Sequence, residues 1–127
     1  MFLDGVDSLV LKWEHEGMEC AIVESPIHGA YNGYVRVGNP YSDAPHPWAD
    51  KHYDLIDVDV HGGLTYAADG WIGFDTLHSG DSWKNLRPEM KSLGEGPFHR
   101  DWTIPMLKAE VEHLADQVRE RLLRLED

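Results

Sequence analysis

Between Thr103 and Leu125 the chain carries the feature that most limits its fold. Ile104, Leu107, Val111, Leu114, Val118, Leu122 and Leu125 recur at spacings of three and four, the apolar stripe of a single amphipathic helix. Thr103 is a suitable N-cap, and Pro105 is tolerated in a first turn. At ~1.5 Å per residue, a helix from Thr103 to Leu125 would span roughly 35 Å, more than a small sheet needs. Its overhanging end, Glu120 to Asp127, is a candidate surface for a second copy, so a homodimer through this helix is one expectation. The other is a long helix laid across one sheet face.

The segments upstream read as the sheet. Leu9, Leu11 and Trp13 alternate with Val10, Lys12 and Glu14, and Cys20 and Ile22 continue the apolar face after a turn at Glu16-Gly17, which together predict a first hairpin over 8–24. Gly33 to Val37 predicts a third strand, with Val35 and Val37 alternating with Tyr34 and Arg36. Arg36 is the cation expected on any polar pocket face. Residues 38–54 hold Pro40, Pro45 and Pro47 among turn formers and read as a loop. With His46, Trp48, His52 and Tyr53 it is aromatic enough to rim a site, although Trp48 pinning the loop to the core is the plainer expectation.

The stretch from Asp57 to Asp81 concentrates the chemistry. In Ile56-Asp57-Val58-Asp59-Val60-His61 the alternation predicts a strand with Ile56, Val58 and Val60 on one face and Asp57, Asp59 and His61 on the other. Asp69-Gly70 is a two-residue hairpin signal. Pairing outward from it sets Ala67 opposite Ile72 and Thr65 opposite Phe74, with Tyr66 opposite Gly73 and Leu64 opposite Asp75 on the second face. Gly73 under a tyrosine is a candidate pocket floor. In the loop that follows, His78 lies three residues after Asp75 and Asp81 three after His78, a spacing that suits neighbouring ligands or an acid/base pair on a tight turn. The bland alternative is the wet side of a half-covered sheet. Ser82 to Asp101 is irregular, and Trp83, Arg87, His99, Arg100 and Trp102 are candidates to close over the site.

Composition narrows the class. At 127 residues, 42% hydrophobic and with five Trp, the chain is expected to form one globular domain, 1–127. The architecture expected is α+β: an antiparallel sheet of about five to six strands with one long C-terminal amphipathic helix. No apolar run approaches the roughly 18 residues of a membrane span, and the first residues lack a basic region followed by an apolar one. A cytoplasmic protein with no membrane partner is therefore expected. The lone Cys20 excludes an internal disulfide and reads as a small buried hydrophobe. Eleven basic against 23 acidic residues leave a net charge of −12, which repels a phosphate backbone at long range and argues against general nucleic-acid binding. A small phosphate-bearing ligand is less constrained, since a few local cations or a metal can overcome the distant field.

The motifs Asp59-Val60-His61-Gly62-Gly63-Leu64-Thr65-Tyr66-Ala67 and Gly73-Phe74-Asp75-Thr76-Leu77-His78-Ser79-Gly80-Asp81, with Asn32-Gly33-Tyr34-Val35 upstream and the helix beginning near Trp102, resemble a family of small uncharacterised proteins encoded by tailed phages and prophages. The resemblance covers most of the chain and supplies no chemistry of its own. The resemblance implies a viral protein working in a bacterial cytoplasm; some small phage proteins of this size act against bacterial immunity by sequestering or destroying nucleotide signals, an analogy of context and not of motif that orders the functions below.

Three functions are compatible with these residues. The first is a small-molecule-binding protein holding a nucleotide-like ligand, with Arg36, Asp59, His61, Thr65, Tyr66, Gly73, Asp75, His78, Trp83 and Arg100 as binding candidates, and Tyr66, Trp71 and Trp83 as stacking surfaces. The second is a metal-assisted, phosphodiesterase-like hydrolase in which His61, Asp75, His78 and Asp81 serve as catalytic residues or as ligands of a divalent Mn or Zn ion. No recognised metal motif accompanies them. The third is an acidic dimer that acts through protein interaction.

Overall fold

The structure, a computed structural model, describes residues 9–24, 30–37, 58–68, 70–76, 81–83 and 100–125. The first hairpin is formed by β1 (Leu9–His15) and β2 (Met18–Glu24), with Trp13 opposite Cys20 and Leu11 opposite Ile22. Its two-residue turn has φ of 52° at Glu16 and 83° at Gly17. These are the two positive values that match a turn's twist to that of the flanking strands. Strand β3 (Tyr31–Arg36) begins two residues ahead of the expected start and pairs with β2. The second hairpin joins β4 (Tyr66–Ala68) to β5 (Trp71–Asp75) in the expected register, Tyr66 opposite Gly73 and Ala67 opposite Ile72. Because β5 also pairs with β3, these strands make one antiparallel sheet in the order β1-β2-β3-β5-β4.

Helix α1 (Ile104–Leu125) lies on one face of this sheet, packed against β2 and β3. Among the described residues the arrangement is therefore α+β, with a C-terminal helix over a five-stranded antiparallel sheet. Thr103 caps the helix as its composition implied: its Oγ1 accepts from the Met106 amide at 3.3 Å and its carbonyl from the Leu107 amide at 3.0 Å. The predicted stripe faces the core where its side chains are described, with Ile104 partly buried at its start. Leu107, Val111, Leu114 and Val118 are fully covered, joined by Ala115, against Cys20, Ile22, Val35, Ile72 and Phe74 of the sheet. Gly33 permits this approach, since a Cβ there would run into Val111 Cγ2 and meet the Phe74 ring at 3.0 Å. The side chains of Leu122 and Leu125, and with them the expected dimer surface from Glu120 to Asp127, lie outside the described residues except for Glu120.

The opposite face of the sheet is also covered. Ala21 and Trp71 are fully buried there, with Val23, Tyr34 and Tyr66 packed on them. Gly73 sits directly beneath Tyr34, whose ring occupies the space a Cβ would need, and Tyr34 meets Tyr66 edge to face at 5.6 Å. The glycine thus lies under a tyrosine as expected, but the covering ring is that of its β3 neighbour Tyr34. Trp71, at 0% exposure, presents no stacking surface.

One predicted strand is corrected. Residues 58–60 carry no sheet pairing, and His61-Gly62 is a turn; Ile56 and Asp57 lie outside the described residues. The alternation was nonetheless a true report of burial, for Val58 and Val60 pack on the core while the Asp59 side chain is almost wholly exposed. The physical reason is that this backbone finds its partners on the helix. Gln117 Oε1 accepts from the Asp59 amide at 2.7 Å, and Gln117 Nε2 donates to the Asp59 carbonyl at 2.6 Å. A side-chain amide so replaces the neighbouring strand that an extended segment ordinarily requires.

A second, smaller sheet was not anticipated. Strand β6 (Asp81–Ser82) pairs in parallel with β7 (Arg100–Asp101), Asp81 opposite Arg100. This bridge brings two segments that read as irregular to the start of the helix.

Candidate functional site

The candidate site is assembled where that parallel bridge, the His61-Gly62 turn and the first turns of α1 converge. Gly62 and Gly63 take φ of 69° and 80°, conformations open to glycine at no steric cost, and the Gly63 amide closes the turn on the Val60 carbonyl at 2.9 Å. The turn points the His61 ring away from the exposed Asp59 and toward Asp81. His61 Nε2 lies 2.9 Å from Oδ1 and 3.0 Å from Oδ2 of that carboxylate. Trp102 Nε1 donates to the same Oδ1 at 2.8 Å. The indole N–H makes Oδ1 an acceptor, and with Asp81 as a carboxylate the His61 contact is made by a proton on Nε2.

Burial distinguishes the two partners. Asp81 is 2% exposed and the His61 side chain 22%. The acid is sunk in the protein while part of the imidazole reaches the surface. Aromatic rings complete the setting. Trp102 stands edge-on to His61 at 4.9 Å, Trp83 stacks on Trp102 at 6.1 Å, and Tyr31 lies against Trp83 at 4.6 Å. Trp83 is anchored in turn: its Nε1 donates to Thr76 Oγ1 at 2.7 Å, and that hydroxyl donates to the Tyr31 carbonyl at 2.6 Å. The His61 backbone is held from the other side, its amide donating to Glu110 Oε1 at 3.0 Å.

The predicted residues divide between the two sides of the sheet. His61, Asp81 and Trp83 meet on the helix side, Trp83 as a buried support and not an exposed stacking face. Arg100 occupies the β7 position beside Asp81, and its side chain lies outside the described residues. Strand alternation sends Asp75 to the face away from Phe74 and the helix, where Tyr66, Gly73 and Arg36 also stand. Arg36 is engaged there by Glu19, Nη1 to Oε2 at 3.2 Å. Thr65 is exposed, its amide donating to the Gly73 carbonyl at 2.9 Å. His78, Arg87 and His99 lie outside the described residues. Among the described residues, no three His, Cys, Asp or Glu side chains come together in an arrangement able to hold a metal ion.

Glu110, Gln117 and Thr76 escaped the reading of the sequence. A signal for the first two was present, since Glu110, His113 and Gln117 form a polar row at spacings of three and four along one flank of the apolar stripe. Thr76 carries no local mark that separates it from any strand-end threonine. Cys20, read as a small buried hydrophobe, is fully buried, and burial next to Glu112 and Asp116 pushes its thiol from 9.0 up to about 12, which suits a core side chain and not a reactive one. No family model matches the chain, and no curated protein or solved structure matches it either.

Proposed function

We propose that the chain binds a small polar ligand against the surface edge of His61, beside the Gly62-Gly63 turn, and releases it unchanged. The observation that carries this reading is the pairing of a buried carboxylate with a partly exposed imidazole. Burying a carboxylate costs several kcal/mol, and a well-packed apolar residue would serve stability as well or better. Asp81 is accounted for if its work is to hold one imidazole in one orientation at the surface. The turn supports access, for Gly62 and Gly63 are exposed and a Cβ at Gly63 would meet no atom within 4 Å. The resemblance to small phage and prophage proteins makes nucleotide-derived signals of a bacterial host the first ligands to try, and Arg100 is the position nearest in register for a phosphate.

Metal-assisted hydrolysis is the second reading. A carboxylate that fixes an imidazole is the usual outer support of a metal-bound histidine, and that pair favours it; the ligand set would have to be completed by His78 or by Asp75 coming across from the other face. One assay separates the readings. The purified protein is incubated with a panel of nucleotides and cyclic nucleotides, with and without Mn and Zn, and the mixture chromatographed before and after heat denaturation. The expected result is a ligand that disappears from the free pool and returns intact on heating, with capture abolished in His61→Ala while its circular dichroism is unchanged. Return as a product would replace this reading with hydrolysis. A panel that never changes would overturn both in favour of protein interaction.

A further inference from the structure

We infer that Gln117 and Glu110 are positioning residues for His61, acting from the helix on a segment that the sheet does not hold. The inference rests on the reading of His61 as the ligand-facing group. Residues 58–60 have no strand beside them among the described residues, and His61 lies at the end of that segment. Gln117 grips both the amide and the carbonyl of Asp59, at 2.7 and 2.6 Å, and Glu110 takes the His61 amide at 3.0 Å. Both are side chains of α1, on the same flank two turns apart. Val58 and Val60 bury themselves against the core, but apolar contact is non-directional and does not set the rotation of the segment about its own axis. The three hydrogen bonds do. They decide the position from which the His61 ring reaches Asp81, so the two helix residues set the geometry of the pair without touching either side chain. A change of about 1 Å at such a remove is enough to misplace a hydrogen-bonded group.

The test needs no ligand. A proton on His61 Nε2 bonded to a buried carboxylate exchanges slowly with water and gives its own NMR resonance. In Glu110→Ala and in Gln117→Leu we expect that resonance to be lost, while the amide signals of β2, β3 and β5 stay in place. Glu110→Gln keeps an acceptor for the His61 amide and is expected to restore the resonance; Gln117→Glu keeps the acceptor for Asp59 and is expected to retain part of it. Persistence of the resonance in both disruptive variants would show that Asp81 alone places the ring, and would overturn the inference. So would loss of the sheet signals along with it, because the two residues would then be holding the fold at large. If the variants behave as expected in a protein that captures nothing from the nucleotide panel, positioning stands and the ligand reading fails.

Discussion

Thr76 illustrates how much the site depends on single polar atoms. Its hydroxyl donates to the Tyr31 carbonyl and accepts from Trp83 Nε1, in a place that is fully buried. Thr76→Val keeps the shape and removes both functions, leaving a buried indole N–H without its acceptor. Such a loss typically costs about 2 kcal/mol, so urea denaturation is expected to show a fall of that size, with Thr76→Ser retaining most of the stability. A Thr76→Val protein as stable as wild type would mean that Trp83 does not rely on this bond. The same scale shows why the reading of the site was incomplete. His61 and Asp81 belong to one candidate set with Asp75 and His78, yet spacing pairs Asp81 only with its neighbours His78 and Asp75, three and six residues away. The contact that forms joins residues twenty positions apart, and local spacing carries no information about such a pair.

At the level of elements, α1 is organised in three lengthwise bands. The apolar stripe faces the sheet, while Glu110, His113 and Gln117 on one flank face the Asp59-His61 segment. The other flank closes on the first hairpin. Glu112 and Asp116 take the two ring nitrogens of His15, at 2.6 and 2.9 Å, and Lys108 lies over the Trp13 ring. The helix is thereby fixed in rotation as well as in depth. Its depth depends on Gly33, where an added Cβ would run into Val111. Gly33→Ala is expected to destabilise the protein by roughly 1–3 kcal/mol, the usual cost of an added methyl in a packed core, and to lower the calorimetric melting temperature. An unchanged melting temperature would mean that the helix can lift at no cost. The hairpins, the cap and the stripe were legible because each is a local pattern of turn chemistry or periodicity. The strand predicted over 56–61 was misread because alternation reports which side chains are buried, and says nothing of what satisfies the backbone.

For the molecule as a whole, the burial that makes the core also makes it sensitive to alkali. Cys20 is uncharged when folded and its thiol is pushed up to about 12, against 9.0 when exposed. Ionisation therefore favours the unfolded chain. The stabilising effect is complete below pH 9.0 and is lost progressively as pH rises toward about 12. The phenol of Tyr34, raised by burial from 10.0, acts in the same direction. Wild-type stability is expected to fall through this range, and Cys20→Ala to fall less steeply when the two are compared by urea titration at a series of pH values. Equal slopes would show that the thiol is not shielded. The thiol is also expected to resist alkylation in the folded protein at pH 8 and to react in urea.

What the sequence by itself determined is what short-range physics can encode. The helix and its cap follow from a 3.6-residue period and a threonine, the two hairpins from paired turn residues between alternating strands, and the α+β class from their combination. Tertiary structure alone decided the rest. It covered both faces of the sheet, turned Trp71 and Trp83 from candidate surfaces into core, sent Asp75 and His61 to opposite sides, and brought the His61 ring to Asp81 beside a two-residue parallel bridge. These outcomes depend on which distant segments come to share one volume, and a buried carboxylate finds its partners there by the need to have its charge and lone pairs satisfied.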